Sequence, residues 1–210
     1  ILEATIMAQE KERAEISSTL HDSICQILYG IRLNLQSFQI KHKFKDELSN
    51  VNQLLEQAIK DTRQMSYELT PSVLKNFGFT AGINEIAQRL NTPNFHIKCN
   101  IPKAVNQLPA DVQLYLFRII QELINNTIKH AKASVAEIKI VLNDQQIMMS
   151  VSDNGTGFDP NSMAIQPKGA GLSGIKNKVF LLDGEMLVNS TTHGTTTIIK
   201  FKNVTPLDDI

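Results

Sequence analysis

Two runs of apolar residues, each stepping by three and four, dominate the first third of this 210-residue chain. The first is Ile16, Leu20, Ile24, Ile27, Ile31, Leu35 and Phe38; the second is Leu48, Val51, Leu55, Ala58, Thr62, Met65 and Leu69. Such spacing gathers each run on one helical face and makes an a/d seam. No proline precedes Pro71, and Gly30 is the only glycine in that stretch, so nothing in it stops a long helix. The polar segment Lys41–Asp46 interrupts the pattern as a short loop. The expected unit over residues 1–70 is an antiparallel helical hairpin. A single hairpin cannot enclose its own seam. A second copy can, by forming a four-helix bundle, so a homodimer is expected.

The pattern changes at Thr70-Pro71, because proline disfavours helix at the residue before it. Residues 71–79 read as a linker and residues 80–210 as a second domain. Thr80–Leu90 reads as a helix, Phe95–Ile101 as a strand, and a long helix opens at Pro109 and runs to about Lys132. Strands follow at Val135–Leu142 and Gln146–Val151, then a loop rich in Gly, Pro and Asn from Asp153 to about Gly171. Residues 173–182 look helical, and Glu185–Asn189 with Thr195–Phe201 closes the domain as a hairpin tipped by His193-Gly194. Strands mixed with helices imply an α/β sandwich, a sheet covered on one face.

Charge and cysteine usage narrow the function. Lys+Arg and Asp+Glu are both 21, so no general positive field favours direct nucleic-acid binding. No apolar run approaches the roughly 20 residues that span a bilayer, and Ile1–Glu15 lacks a signal-peptide pattern. Cys25 and Cys99 lack metal-ligand spacing and read as free thiols of a reducing compartment. The chain opens with Ile inside a helical pattern, which reads as a fragment. The expected location is the cytoplasm, with membrane contact only through a segment upstream of Ile1.

Three constellations carry chemistry. His21 lies about 85° from the centre of the first apolar stripe, on its flank, where a packed helix holds it and a partner can reach it. A neutral imidazole is a nitrogen nucleophile, and the adjacent Asp22 can bind one ring N–H and activate the other nitrogen. Gln26, one turn beyond Asp22, could orient a water. The same residues also fit a solvated His-Asp pair on a helix surface. In the long helix, Glu122, Asn126 and Lys129 fall within about 60° of one another, opposite the apolar face of Ile120, Leu123, Ile124, Thr127 and Ala131. A carboxylate, a carboxamide and an ammonium on one stripe suit a magnesium triphosphate: Asn126 as metal ligand, Lys129 against phosphate, and Glu122 holding a metal-bound water or accepting a proton. A solvated helix face is the plainer reading. Finally, Asp153-Asn154-Gly155-Thr156-Gly157 follows a strand, where a carboxylate can accept an adenine amine, or where a simple turn can sit. Gly169-Ala170-Gly171-Leu172-Ser173-Gly174 leads into a helix, as a phosphate cradle does.

Together these motifs resemble the sensor histidine kinases of two-component signalling. More narrowly, the chain resembles the subfamily whose phosphoacceptor box reads H-D-x-x-x-Q and whose ATPase has the Bergerat fold. The box is His21-Asp22 through Gln26; a linker motif is Leu69–Leu74 ending in Gly78-Phe79; the N box is Glu122–Ala131; the glycine boxes are Asp153–Gly157 and Gly169–Gly174; Gly194-Thr195-Thr196 is similar to the closing element. The resemblance implies autophosphorylation of His21 by ATP, with Asp22 as base, and transfer to an aspartate of a response regulator receiver domain. It implies Mg2+ on Asn126 with Glu122 assisting, and Lys129 and His130 near the phosphates. It implies Asp153 on adenine and a lid between Asn154 and Gly171. Gly155, Gly157, Gly169, Gly171, Leu172, Gly174 and Thr195 complete the implied nucleotide site. Asp22 and Gln26 also resemble the pair that positions water for regulator dephosphorylation. A catalytically weak dimerisation and docking module of the same shape is the alternative. Glu15, Ile175-Lys176-Asn177-Lys178 and Asp183-Gly184 depart from the family pattern.

Overall fold

The computed structural model describes residues 2–42, 48–69, 74, 78–158 and 170–203. Most of the expected interhelical loop, linker and lid, Gly169 included, lies outside the described residues. The chain divides into two compact units, Ile1–Ser72 and Val73–Ile210.

In the first unit, α1 (Leu2–Ser18) continues through a wider π-helical turn, Thr19–Ile24, into α2 (Cys25–His42). The residues at both joints, Ser18 and Cys25, keep right-handed helical backbone. Helix α3 (Ser49–Leu69) packs along α1, the π turn and α2. At the end of the hairpin where α2 finishes and α3 begins, Asn52 Nδ2 donates to Gln39 Oε1 at 3.0 Å. The seam is only partly closed. Ile6, Cys25 and Ile59 are buried, whereas Ile16, Ile24, Ile27, Ile31, Phe38, Val51 and Met65 are exposed.

The second unit is a five-stranded sheet in the order β1-β2-β3-β5-β4. Its strands are β1 (His96–Asn100), β2 (Val135–Leu142), β3 (Gln146–Asp153), β4 (Glu185–Thr191) and β5 (Gly194–Lys202). β1 and β2 are parallel and joined through a helical crossover; the other pairings are antiparallel. Period-two alternation decides which face is covered. Ala136, Ile138 and Ile140 of β2, Ile147, Met149 and Val151 of β3, and Ile199 and Phe201 of β5 are buried, while Glu137 and Lys139 between them are exposed. Three helices supply the other half of this core: α4 (Phe79–Leu90), α5 (Ala110–Asn126) and α6 (Ala170–Leu181). Phe79, Ile83, Leu116, Ile119, Ile120, Ile124 and Ile175 are all essentially inaccessible.

Strand and helix ends shift by one or two residues from the sequence reading, and two helices differ from it in kind. The helix expected to reach Lys132 ends as α-helix at Asn126 and finishes in a π turn, Thr127–Ala131, closed by Lys132 at φ 51°. The Thr127 hydroxyl donates back to the Leu123 carbonyl at 3.1 Å, a side-chain bond that commonly bends a helix. The helix expected over 173–182 begins at Ala170, so Gly171 and Gly174 are helical residues rather than parts of a loop before a helix.

Candidate functional site

In the first unit, His21 and Asp22 sit in the middle of the π turn, with side chains 59% and 62% exposed. Such turns widen a helix by one residue and often occur where side chains act. His21 Nδ1 lies 2.9 Å from Asp22 Oδ1, and the Ser18 hydroxyl donates to Asp22 Oδ2 at 2.9 Å. These contacts, the His21 ring first and Ser18 second, hold the Asp22 carboxyl below the usual aspartate range. An ionised carboxylate can only accept, so Nδ1–H is the donor of this contact, and in the neutral form of the ring the lone pair is then on Nε2. Gln26 is exposed at the start of α2.

The second unit contains a cavity of about 250 Å³ between the end of α5, the ends of β3 and β5, and α6. Asn126, His130, Asp153, Gly157, Leu172 and Thr195 all reach it. Leu123, Thr127, Ala131, Val151, Phe158 and Thr197 complete the wall, most of them apolar, as a flat heterocycle would need. Asp153 is the organising group. Its Oδ1 accepts the Gly155 N–H at 2.8 Å and the Thr195 N–H at 3.3 Å, and its Oδ2 lies 3.3 Å from the Thr127 hydroxyl. One carboxylate thereby ties β3, β5 and the π turn together. Asn154 secures the β2 end instead: its Oδ1 accepts the Ser134 and Val135 N–H groups, each at 2.9 Å.

The two glycines of the first box admit backbone rather than ligand. A Cβ on Gly155 would stand 2.3 Å from the Ala131 carbonyl oxygen, which already accepts the Thr156 N–H at 2.8 Å. Gly157, at φ 60°, would put a Cβ 1.9 Å from the Thr191 carbonyl. These approaches seat the loop after β3 against the π turn and the β4–β5 hairpin.

Other expected residues stand apart. Lys129 is exposed and Glu122 half-buried one turn before Asn126; neither lines the cavity. Gly174 lies within α6 away from it, while Gly171 falls in that helix's first turn beside Leu172. Thr127 escaped the sequence reading because it sat within an apolar face. The signal that could have found it is a hydroxyl in an otherwise hydrocarbon stripe. Phe158, Val151 and Thr197 carried no local signal, since only the sheet register brings them together.

Two family models match the chain. A histidine kinase model covers residues 12–74, which include the end of α1, the π turn with His21, α2 and α3. A histidine kinase-, DNA gyrase B- and HSP90-like ATPase model covers residues 111–205, the cavity and its walls. The chain belongs to the histidine kinase family. Among curated histidine kinases, it is 30% identical over 193 residues to the sensor histidine kinase ComP of Bacillus subtilis, covering 87% of this chain and 25% of ComP. It is 29% identical over 196 residues to the oxygen sensor histidine kinase NreB of Staphylococcus carnosus, covering 90% of this chain and 56% of NreB. It therefore spans from a quarter to just over half of the length of these relatives. A histidine kinase domain from the blue-light activated histidine kinase of Erythrobacter litoralis EL346 shares the fold, with a TM-score of 0.56 at 14% identity over 93% of this chain and 95% of that one. As a histidine kinase chain, its second unit is the ATP-binding module. Among the described residues, no helix is long and apolar enough to cross a membrane.

Proposed function

We propose that this chain is the catalytic core of a sensor histidine kinase, working in the cytoplasm, where ATP is available. His21 Nε2 attacks the γ-phosphorus of ATP; an N–P bond forms, the bond to the β,γ-bridging oxygen breaks, and ADP leaves. The positive charge that develops on the ring falls on Nδ1–H, 2.9 Å from the Asp22 carboxylate. Phosphoryl transfer needs little more than positioning and charge neutralisation, and the His21–Asp22 contact is the observation that carries the reading. The phosphoryl group then passes to an aspartate of a response regulator receiver domain. Gln26, one turn from Asp22, fits a second role in positioning water for dephosphorylation of that regulator.

Nucleotide recognition falls to the second unit. Asp153 accepts the adenine amine, with Thr195 beside it. His130 and Leu172, both at the cavity, flank the path of the phosphates; the resemblance adds Lys129, Gly169, Gly171 and Gly174 to the phosphate contacts. Among the described residues, no three His, Cys, Asp or Glu side chains gather to hold a metal ion. That suits a cation arriving with the nucleotide, since magnesium takes few protein ligands. Asn126 would hold it with help from Glu122, and Mg2+ when bound would neutralise phosphate charge. The seven exposed seam residues favour a homodimer, which would close the first unit as a four-helix bundle.

Incubation with Mg2+ and [γ-³²P]ATP tests the reading. An acid-labile label mapping to His21 is expected, and His21→Ala should abolish it while nucleotide binding persists. Full labelling of the alanine variant would sink the assignment.

A further inference from the structure

Behind the cavity, on β4, Ser190 makes two hydrogen bonds that no part of the proposed chemistry uses. The Phe158 N–H donates to its Oγ at 2.8 Å, and that Oγ lies 2.9 Å from Thr195 Oγ1. Phe158 and Thr195 both line the cavity; Ser190 does not. Among the described residues, neither hydroxyl has another side-chain or backbone partner. The contact is also held in place, because Gly157 lies so close that a Cβ there would come within 2.8 Å of Ser190 Oγ.

A hydroxyl has one proton and two lone pairs. If Thr195 donated to Ser190, the Ser190 proton would have no acceptor. If Ser190 donates to Thr195, one chain of bonds runs from the Phe158 N–H through Ser190 to Thr195, and the Thr195 proton is left for a group inside the cavity. The second arrangement leaves no donor wasted once a ligand acceptor is present. It also fixes the polarity of the wall. Asp153, whose Oδ1 accepts the Thr195 N–H, presents an acceptor, and Thr195 next to it presents a donor. Adenine offers the complement, an amine donor beside the N1 acceptor. Guanine offers the reverse, an O6 acceptor beside an N1–H donor.

We infer that Ser190 is a specificity-determining positioning residue: by orienting the Thr195 hydroxyl as a donor, it makes the cavity select adenine over guanine nucleotides. This rests on the reading of the cavity as a purine nucleotide site. Calorimetric titration of the whole chain with ADP and with GDP, both with Mg2+, tests it. Ser190→Ala should weaken ADP fivefold or more and leave GDP nearly unchanged, so that the ADP/GDP preference shrinks by a similar factor; Ser190→Thr should restore it. Thr195→Val, which keeps shape and loses the hydroxyl, should lose the same preference, and adding Ser190→Ala to it should reduce selectivity no further. That pair also serves if Ser190→Ala alone folds poorly. An ADP/GDP ratio within twofold of the parent in Ser190→Ala and in Thr195→Val overturns the proposal, as does an equal loss of both nucleotides. A parent chain that binds neither nucleotide overturns the reading of the cavity itself.

Discussion

Replacing Asp153 by asparagine separates the two tasks of that carboxylate. Its Oδ1 holds the Gly155 and Thr195 N–H groups at 2.8 and 3.3 Å, and an amide oxygen can keep both. The new amide nitrogen takes the Oδ2 position, 3.3 Å from Thr127 Oγ1, and can donate to it while Thr127 keeps its bond to the Leu123 carbonyl. Exchanging a charged acceptor for a neutral one in a half-buried site that stays satisfied should cost the fold about 1 kcal/mol or less. Binding should suffer far more. An adenine amine would face an N–H instead of a carboxylate, losing a charge-assisted bond of about 1.5–3 kcal/mol and stranding a donor at about 1–3 kcal/mol. The expected loss of ADP affinity is about 10²- to 10⁴-fold. Calorimetric titration with ADP gives the affinity, and a thermal melt without nucleotide gives the stability. Affinity within threefold of the parent, in a variant that melts normally, would refute the adenine role of Asp153.

Three further outcomes follow from other parts of the chain. The Asp22 carboxyl, followed by NMR titration, should stay ionised to lower pH than an ordinary aspartate; its midpoint should rise in His21→Ala and, to a lesser degree, in Ser18→Ala, and a midpoint that ignores both changes would contradict the contacts at 2.9 Å. Gly155→Ala should destabilise the second unit by about 1–3 kcal/mol, a fall of about 3–15 °C in Tm by calorimetry, because its Cβ would stand 2.3 Å from the Ala131 carbonyl; an unchanged Tm would show that the loop yields freely. Ile27→Glu, at a seam position 60% exposed in the single chain, should weaken the proposed dimer by about 3–6 kcal/mol over its two copies, more than 100-fold in Kd; a dimer that persists unchanged by light scattering would place the contact elsewhere.

Local patterns made much of this molecule legible. Repeats of three and four marked the helices of the first unit, because an amphipathic helix records its buried stripe in adjacent residues. Alternation marked β2, β3 and β5 to within about two residues, because a half-covered sheet writes its two faces into successive positions. His21 and Asn126 stood out as polar groups of distinct chemistry at set angles from an apolar helix stripe, and Asp153 as a carboxylate after a strand, whereas Thr195 entered only through the resemblance of Gly194-Thr195-Thr196 to a family element. The π turns at Thr19–Ile24 and Thr127–Ala131 were not, since one extra residue per turn leaves composition and hydropathy unaltered.

The amino-acid order by itself determined where helices and strands run, and which side chains bring a nucleophile, a carboxylate and a carboxamide. Folding in three dimensions alone decided that Thr127, Phe158 and Thr197 join Asp153 and Asn126 around one cavity of the second unit, that Gly155 and Gly157 serve backbone contacts, and that Ser190 reaches Thr195 from behind. The physical reason is range. Propensity and periodicity act over a few residues, whereas Phe158 meets Ser190, and Asp153 meets Thr195, only after the β3–β5 register has brought distant segments side by side.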